Sequence, residues 1–158
     1  MAEVRVGLGF DVHARDPSRP LFLGGVVFEG EPGLTGHSDA DAVCHAVADA
    51  LLGAAALGDL GTHFPDTDPA WVGASGLDLL ARAVAMLDGA GYRTSSCDLT
   101  VVAERPSIGP VTRTIRENLA GALGVDPGRV SVKATRPEGL GLAGDGVGCL
   151  AVVVVEPR

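Results

Sequence analysis

The chain has 158 residues, 46% of them hydrophobic, which is enough for one domain with a core of its own and no need of staples. Its formal net charge is −8, and the basic residues form no patch, so the phosphate neutralisation that dominates nucleic-acid binding is excluded. No apolar run approaches the roughly 20 residues that span a bilayer.

In chain order, Met1 to Arg5 pass straight into a strand-like pattern with no signal-peptide core, and a cytoplasmic protein is expected. Residues 4–10 (VRVGLGF) read as a strand, and 21–28 (LFLGGVVF) as a second, bent at Gly24-Gly25. Ser38 is placed to cap a helix running to about Leu57, with Cys44, Val47, Ala48, Leu51, Leu52 and Ala55 at helical spacing and Gly58 at its end. Residues 59–72 read as a loop rich in Asp and Pro. A second helix starts after Ser75 and ends near Gly89. A strand follows at 97–103 (CDLTVVA), then a turn from Pro106 to Gly109. A third helix covers 110–123, with Ile115, Leu119 and Leu123 four apart. Strands at 129–134 (RVSVKA) and 148–155 (GCLAVVVV) finish the chain, and the unbroken run Leu150 to Val155 suggests burial on both faces. The order β-β-α-α-β-α-β-β predicts an α/β (α+β) fold over residues 1–158, one layer of sheet with helices against it. The 23 glycines and 10 prolines separate the apolar runs and act as punctuation.

Cys44, Cys97 and Cys149 are odd in number, widely spaced and without a Cys-x-x-Cys pair, which argues against a disulfide frame and a thiolate zinc site. Gly7-Leu8-Gly9 lacks the third glycine and the following helix of a dinucleotide fingerprint.

Residues two apart in a strand project to one side, so Asp11 and His13 point together. His45, on the first predicted helix, lies one turn after Asp41 and one before Asp49. Asp, His and His with one open position describe a catalytic zinc site, with Asp41 or Asp49 able to orient the His45 ring. Spacing alone leaves an ordinary hydrogen-bonded histidine as the alternative. His37-Ser38-Asp39-Ala40-Asp41 opens the helix, where polar residues serve as caps but an imidazole beside a helix start also suits a phosphate. The loop from Asp59 to Asp68 carries Asp59, Asp66 and Asp68, either solvated or accepting hydrogen bonds from sugar hydroxyls; His63 within it reads as surface. The segment Lys133 to Gly146 is glycine-dense, with Thr135, Arg136 and Glu138. It reads either as a flexible hairpin loop or as backbone that cradles phosphate, with a carboxylate for a hard ion.

Taken together these segments resemble the 2-C-methyl-D-erythritol 2,4-cyclodiphosphate synthase family. The resemblance rests on Gly9-Phe10-Asp11-Val12-His13, Leu23-Gly24-Gly25, His37-Ser38-Asp39-Ala40-Asp41, Asp49 through Gly61, Phe64-Pro65-Asp66-Thr67-Asp68, Lys133-Ala134-Thr135 and Glu138-Gly139-Leu140-Gly141. They occur in family order and spacing over almost the whole chain.

The resemblance implies a four-stranded mixed sheet packed against helices, assembled as a homotrimer with active sites between subunits. It implies zinc held by Asp11, His13 and His45, and a second ion, Mg²⁺ or Mn²⁺, held by Glu138 on the substrate diphosphate. His37 and Ser38 would line the methylerythritol phosphate part with Phe64, Asp66 and Asp68. Asp59 and Gly61 would face the ribose. Ala103, Ser107, Ile108 and Gly109 would hold cytosine, and Thr135, Arg136 and Leu142 would lie at the phosphates. The implied reaction is intramolecular phosphoryl transfer that closes a cyclic diphosphate and releases CMP. His37, Arg136 and Glu138 are the residues nearest that chemistry, and metals let an acidic chain meet an anionic substrate. The chain departs from the family at Arg136-Pro137, where a further Thr is usual, at Asp145, where Arg is frequent, at Leu142 in place of an aromatic, and at Ser107 in place of a basic residue. A zinc phosphohydrolase and a non-enzymatic carrier of isoprenoid phosphates are the competing readings.

Overall fold

The computed structural model describes residues 3–141 and 143–158. In chain order its elements are β1 (Arg5–Asp16), β2 (Leu21–Leu23), β3 (Val26–Phe28), β4 (Gly33–Leu34), α1 (Ala42–Ala54), α2 (Leu60–His63), α3 (Gly76–Gly89), β5 (Tyr92–Val102), α4 (Thr112–Leu123), β6 (Val130–Thr135) and β7 (Gly146–Pro157). The main sheet has the order β4-β1-β7-β5-β6. Its pairings are antiparallel except β5 with β6, which α4 joins as a parallel crossover.

The sheet therefore has five strands among the described residues, one more than the resemblance implied. The extra strand is β4, two residues paired with Arg15 and Asp16, too short to leave a period in the sequence. Residues 21–28 are a separate hairpin, because Gly24 and Gly25 take φ values of 59° and 76° and turn the chain back on itself. The Leu150 to Val155 run is not buried on both faces. Residues 151, 153 and 155 are buried while Val152 is 40% exposed, because the helices cover only one side of the sheet. The segment after β6 crosses to β7 past β5, so it is not a hairpin loop.

Helix α1 is apolar nearly all round and lies on β1 and β7. Its approach to β1 depends on two glycines. A Cβ on Gly7 would sit 1.8 Å from the Ala50 carbonyl oxygen, and one on Gly9 would sit 1.8 Å from that of Ala46. With no side chain there, the helix backbone rests directly on the strand, and His45 comes level with Asp11 and His13. Asp41, not Ser38, caps the helix: its fully buried carboxylate accepts the N–H of Cys44 at 3.0 Å and those of Gly24 and Gly25 at 2.8 Å each. Ser75 caps α3 as the sequence reading placed it. The bare face of the sheet carries Val6, Leu8, Phe10 and Val12 of β1 beside Val152. Among the described residues, no helix is long and apolar enough to cross a membrane.

Candidate metal centre and substrate cavity

Asp11 and His13 share a side of β1, and α1 presents His45 to them. Asp11 Oδ2 lies 2.6 Å from His13 Nε2 and 3.3 Å from His45 Nδ1. One ligand atom from each of the three residues falls within a 4.8 Å group. The rings are held from behind. His13 Nδ1 is 2.7 Å from the Thr35 carbonyl oxygen, which can only accept, so Nδ1 keeps its proton and Nε2 is the atom turned to Asp11. His45 Nε2 lies 3.1 Å from Ser38 Oγ, leaving Nδ1 turned inward.

Burial alone would push the Asp11 carboxyl up, but the hydrogen bonds and charge of His13 and His45 outweigh it and hold the group well below the usual carboxylate range. The converse holds for His13: burial lowers it, the hydrogen bond and charge of Asp11 raise it more, and the net shift is upward. An ionised carboxylate with two imidazoles, one in a fixed tautomer, is a donor set that fits a divalent ion such as zinc with a coordination place left open.

The three residues border a cavity of about 240 Å³. Its polar side also includes His37, Ser38, Asp49 and Asp66; its apolar side is Leu60, Phe64, Trp71 and Leu79, with Gly61 between. His37 Nε2 donates to the Asp68 carbonyl at 2.9 Å, which ties the ring to the segment after Phe64. Neither Asp41 nor Asp49 orients His45. Asp41 is spent on the helix cap, and Asp49 accepts the Leu60 N–H at 2.6 Å, while burial raises its carboxyl above the ordinary value. Ser38 takes that part. Its signal was its place seven residues before His45, which a loop with Ala40 at φ 56° folds back onto the helix.

The other residues named from the sequence fall elsewhere. The Asp59 carboxylate caps α2, accepting the N–H and hydroxyl of Thr62 at 2.8 and 2.7 Å, and that of Asp68 accepts the Ala70 N–H at 2.9 Å; neither residue borders the cavity. Ala103, Ser107, Ile108, Gly109, Thr135 and Arg136 line a second cavity of about 270 Å³, which shares no residue with the first. The Ala103 N–H donates to the Thr135 carbonyl at 3.1 Å and joins the two walls of that cavity. Glu138 is exposed at φ 53° and borders neither cavity; Leu142 lies outside the described residues. Asp145 borders a third cavity with Arg15 and Arg105. His63, read as surface, is half-buried and lies 2.7 Å from the Leu57 carbonyl oxygen. Trp71 and Leu79 were missed, since an aromatic and a leucine at such spacing carry no mark of a site.

A one-sided sheet whose first long strand and first helix bring a carboxylate and two imidazoles to the floor of a polar cavity defines an α+β protein with a candidate divalent-metal centre. Comparison with known proteins narrows that class. The YgbB family model matches residues 4–156. The chain is 56% identical, over 97% of its length and 99% of the relative's, to the 2-C-methyl-D-erythritol 2,4-cyclodiphosphate synthase of Symbiobacterium thermophilum. It is similar in structure to a 2-C-methyl-D-erythritol 2,4-cyclodiphosphate synthase solved in a CDP-bound form, at TM-score 0.87 and 35% identity, covering 96% of this chain and 99% of that one. It is also similar to the bifunctional IspDF of Campylobacter jejuni, at TM-score 0.94 and 37% identity, covering all of this chain and 43% of that one. The chain belongs to the YgbB family, the family of the 2-C-methyl-D-erythritol 2,4-cyclodiphosphate synthases.

Proposed function

We propose that this chain, as one catalytic domain over residues 1–158, converts 4-diphosphocytidyl-2-C-methyl-D-erythritol 2-phosphate to 2-C-methyl-D-erythritol 2,4-cyclodiphosphate and CMP. This would be a phosphorus–oxygen lyase step of non-mevalonate isoprenoid synthesis in the cytoplasm. The observation that carries the reading is the convergence of Asp11, His13 and His45 on one cavity.

The 2-phosphate oxygen attacks the β-phosphorus in line; a new P–O bond forms, the P–O bond to CMP breaks, and no protein nucleophile is needed. Such transfer is catalysed by positioning and charge stabilisation. Zinc on Asp11, His13 and His45 would supply Lewis-acid polarisation of a phosphoryl oxygen, and Mg²⁺ or Mn²⁺ on Glu138 would offset charge on the diphosphate. The chain's own groups do the rest. His37 and Ser38 bind the methylerythritol phosphate part, with Asp66 on its hydroxyls and Phe64 against its carbon skeleton. Gly61 faces the ribose beside Asp59, which caps the same short helix. Ala103 to Gly109 receive cytosine through backbone groups, and Thr135 and Arg136 hold the phosphate chain.

A homotrimer is part of the proposal. Two features support it: the metal cavity and the Ala103–Arg136 cavity are separate within one chain, and the sheet's bare face is apolar at Val6, Leu8, Phe10 and Val12. Packing three copies on that face would bring one chain's first cavity to the next chain's second. Coexpression of His45→Ala with Glu138→Ala tests it. Each variant alone should be inactive, and mixed trimers should regain part of the CMP release. Verified mixed trimers that stay inactive would overturn the shared site.

A further inference from the structure

Arg15 lies two residues beyond His13 on β1, on the side of the strand that carries Asp11 and His13. Its half-buried guanidinium spans two backbone carbonyls from distant segments. Nη1 donates to the Pro32 carbonyl at 3.1 Å, and Nη2 donates to the Arg105 carbonyl. Pro32 leads into β4, whose Leu34 pairs with Arg15 itself. Arg105 sits within the segment Ala103 to Gly109, and it is the one residue there that does not line the second cavity. It borders the third cavity beside Arg15 instead.

The segment is therefore pinned from behind. The Arg105 side chain turns the same way, with Nε and Nη2 at 3.0 and 2.9 Å from Glu31 Oε2. That pair is exposed and weak on its own. The Arg15 fork is the stronger hold, since a planar guanidinium fixes direction as well as distance. The ends of the segment are held by other means: the Ala103 N–H donates to the Thr135 carbonyl at 3.1 Å, and the Thr112 hydroxyl donates to the Ile108 carbonyl at 3.0 Å. Between those ends the hold on the main chain comes from Arg15. Cytosine and uracil present opposite patterns on one edge: an amino donor and a ring acceptor in the first, a carbonyl acceptor and a ring donor in the second. Backbone groups tell them apart only when they are held in place, and a loop needs outside support for that.

We propose that Arg15 is a positioning residue for nucleotide recognition, holding the Arg105 carbonyl so that the Ala103 to Gly109 segment is set to read cytosine against uracil. The proposal rests on the placement of cytosine made above and deepens it. It also ties two sites to one strand: β1 carries Asp11 and His13 and, four residues after Asp11, the group that sets the nucleotide loop.

The test is calorimetric titration of zinc-loaded protein with CDP and, separately, with UDP. The unaltered protein should prefer CDP. Arg15→Ala should weaken CDP about tenfold, the loss of one hydrogen bond to the base, and UDP by less than about threefold, with zinc affinity unchanged. KM for the full substrate should rise about tenfold as well, with kcat within roughly twofold. Arg15→Lys keeps the charge and loses the fork; it should narrow the CDP preference in the same direction but less, and it decides the matter if Arg15→Ala does not fold. An unchanged ratio of CDP to UDP affinity overturns the proposal. So does a parallel loss of CDP, UDP and zinc, which would mark a purely structural role. No preference for CDP in the unaltered protein overturns the placement of the base and this proposal together. If the protein binds zinc but never releases CMP, the reaction assigned to it has failed, and the two titrations still decide the role of Arg15.

Discussion

Ser38 Oγ lies 3.1 Å from His45 Nε2, so a loop residue sets which nitrogen of a helix histidine faces Asp11 and His13. The hydroxyl also accepts the Ala40 N–H at 3.2 Å, which fixes its own position. Partners of this kind typically contribute 10–100-fold to metal affinity. Ser38→Ala should therefore weaken zinc binding by roughly that factor with the fold intact. Competition with a chelator checks it, and unchanged zinc affinity would show that the His45 ring is set by its packing alone.

The contact between β1 and α1 is made through glycine. Gly9→Ala puts a methyl into the Ala46 carbonyl, a backbone group that cannot step aside without moving the helix. The expected loss is about 3 kcal/mol, a fall in Tm of roughly 10 °C, together with weaker zinc binding as His45 retreats from β1. Calorimetry with and without zinc measures both, and an unchanged Tm would contradict the close approach.

Burial pushes the Cys97 thiol up to about 12 from an ordinary 9.0, and Cys44 and Cys149 well above their ordinary value. A folded thiol with a raised pKa keeps its proton where the unfolded chain has lost it. The stability this gives is fully present below pH 9, and it falls as pH climbs from about 9 towards 12, by up to about 1.4 kcal/mol per pH unit for each thiol. Urea midpoints should hold constant from pH 7 to 8.5 and decline above 9. In native protein at pH 8 no cysteine should react with iodoacetamide, and all three should react once unfolded; rapid labelling of the native form would contradict their burial.

Arg136 borders the second cavity where the family usually has threonine. If its guanidinium meets the substrate phosphates, Arg136→Thr should lower kcat/KM at least tenfold and weaken CDP as well, since a charge-assisted contact is lost. Unchanged values for both would show that the side chain points to solvent and that Thr135 holds the phosphates alone.

Much of this was legible in the sequence, for physical reasons. Helices α1, α3 and α4 are amphipathic or apolar, and the Asp11/His13 pair follows from strand alternation. What escaped were features that depend on contacts distant in sequence. Two-residue β4 has no period of its own. Gly7 and Gly9 looked like strand glycines, and only α1 lying across them shows why nothing larger fits. Asp41 is one turn from His45, but the backbone of Gly24 and Gly25 competes for its carboxylate and wins with two N–H donors. The run Leu150 to Val155 is apolar enough for burial on both faces, yet in the single chain one face is bare, and a sequence cannot say whether helices or another copy cover it. Residues 59–72 read as loop, whereas capping by Asp59 and Asp68 folds them into two short helical turns that carry Phe64 and Trp71 to the cavity.

The central claim is the reaction itself, and phosphorus NMR of the purified protein with 4-diphosphocytidyl-2-C-methyl-D-erythritol 2-phosphate, Zn²⁺ and Mg²⁺ tests it most directly. The account predicts resonances of a cyclic diphosphate growing in step with CMP. Inorganic phosphate with an open-chain product, or no turnover in folded, zinc-loaded protein, would contradict it.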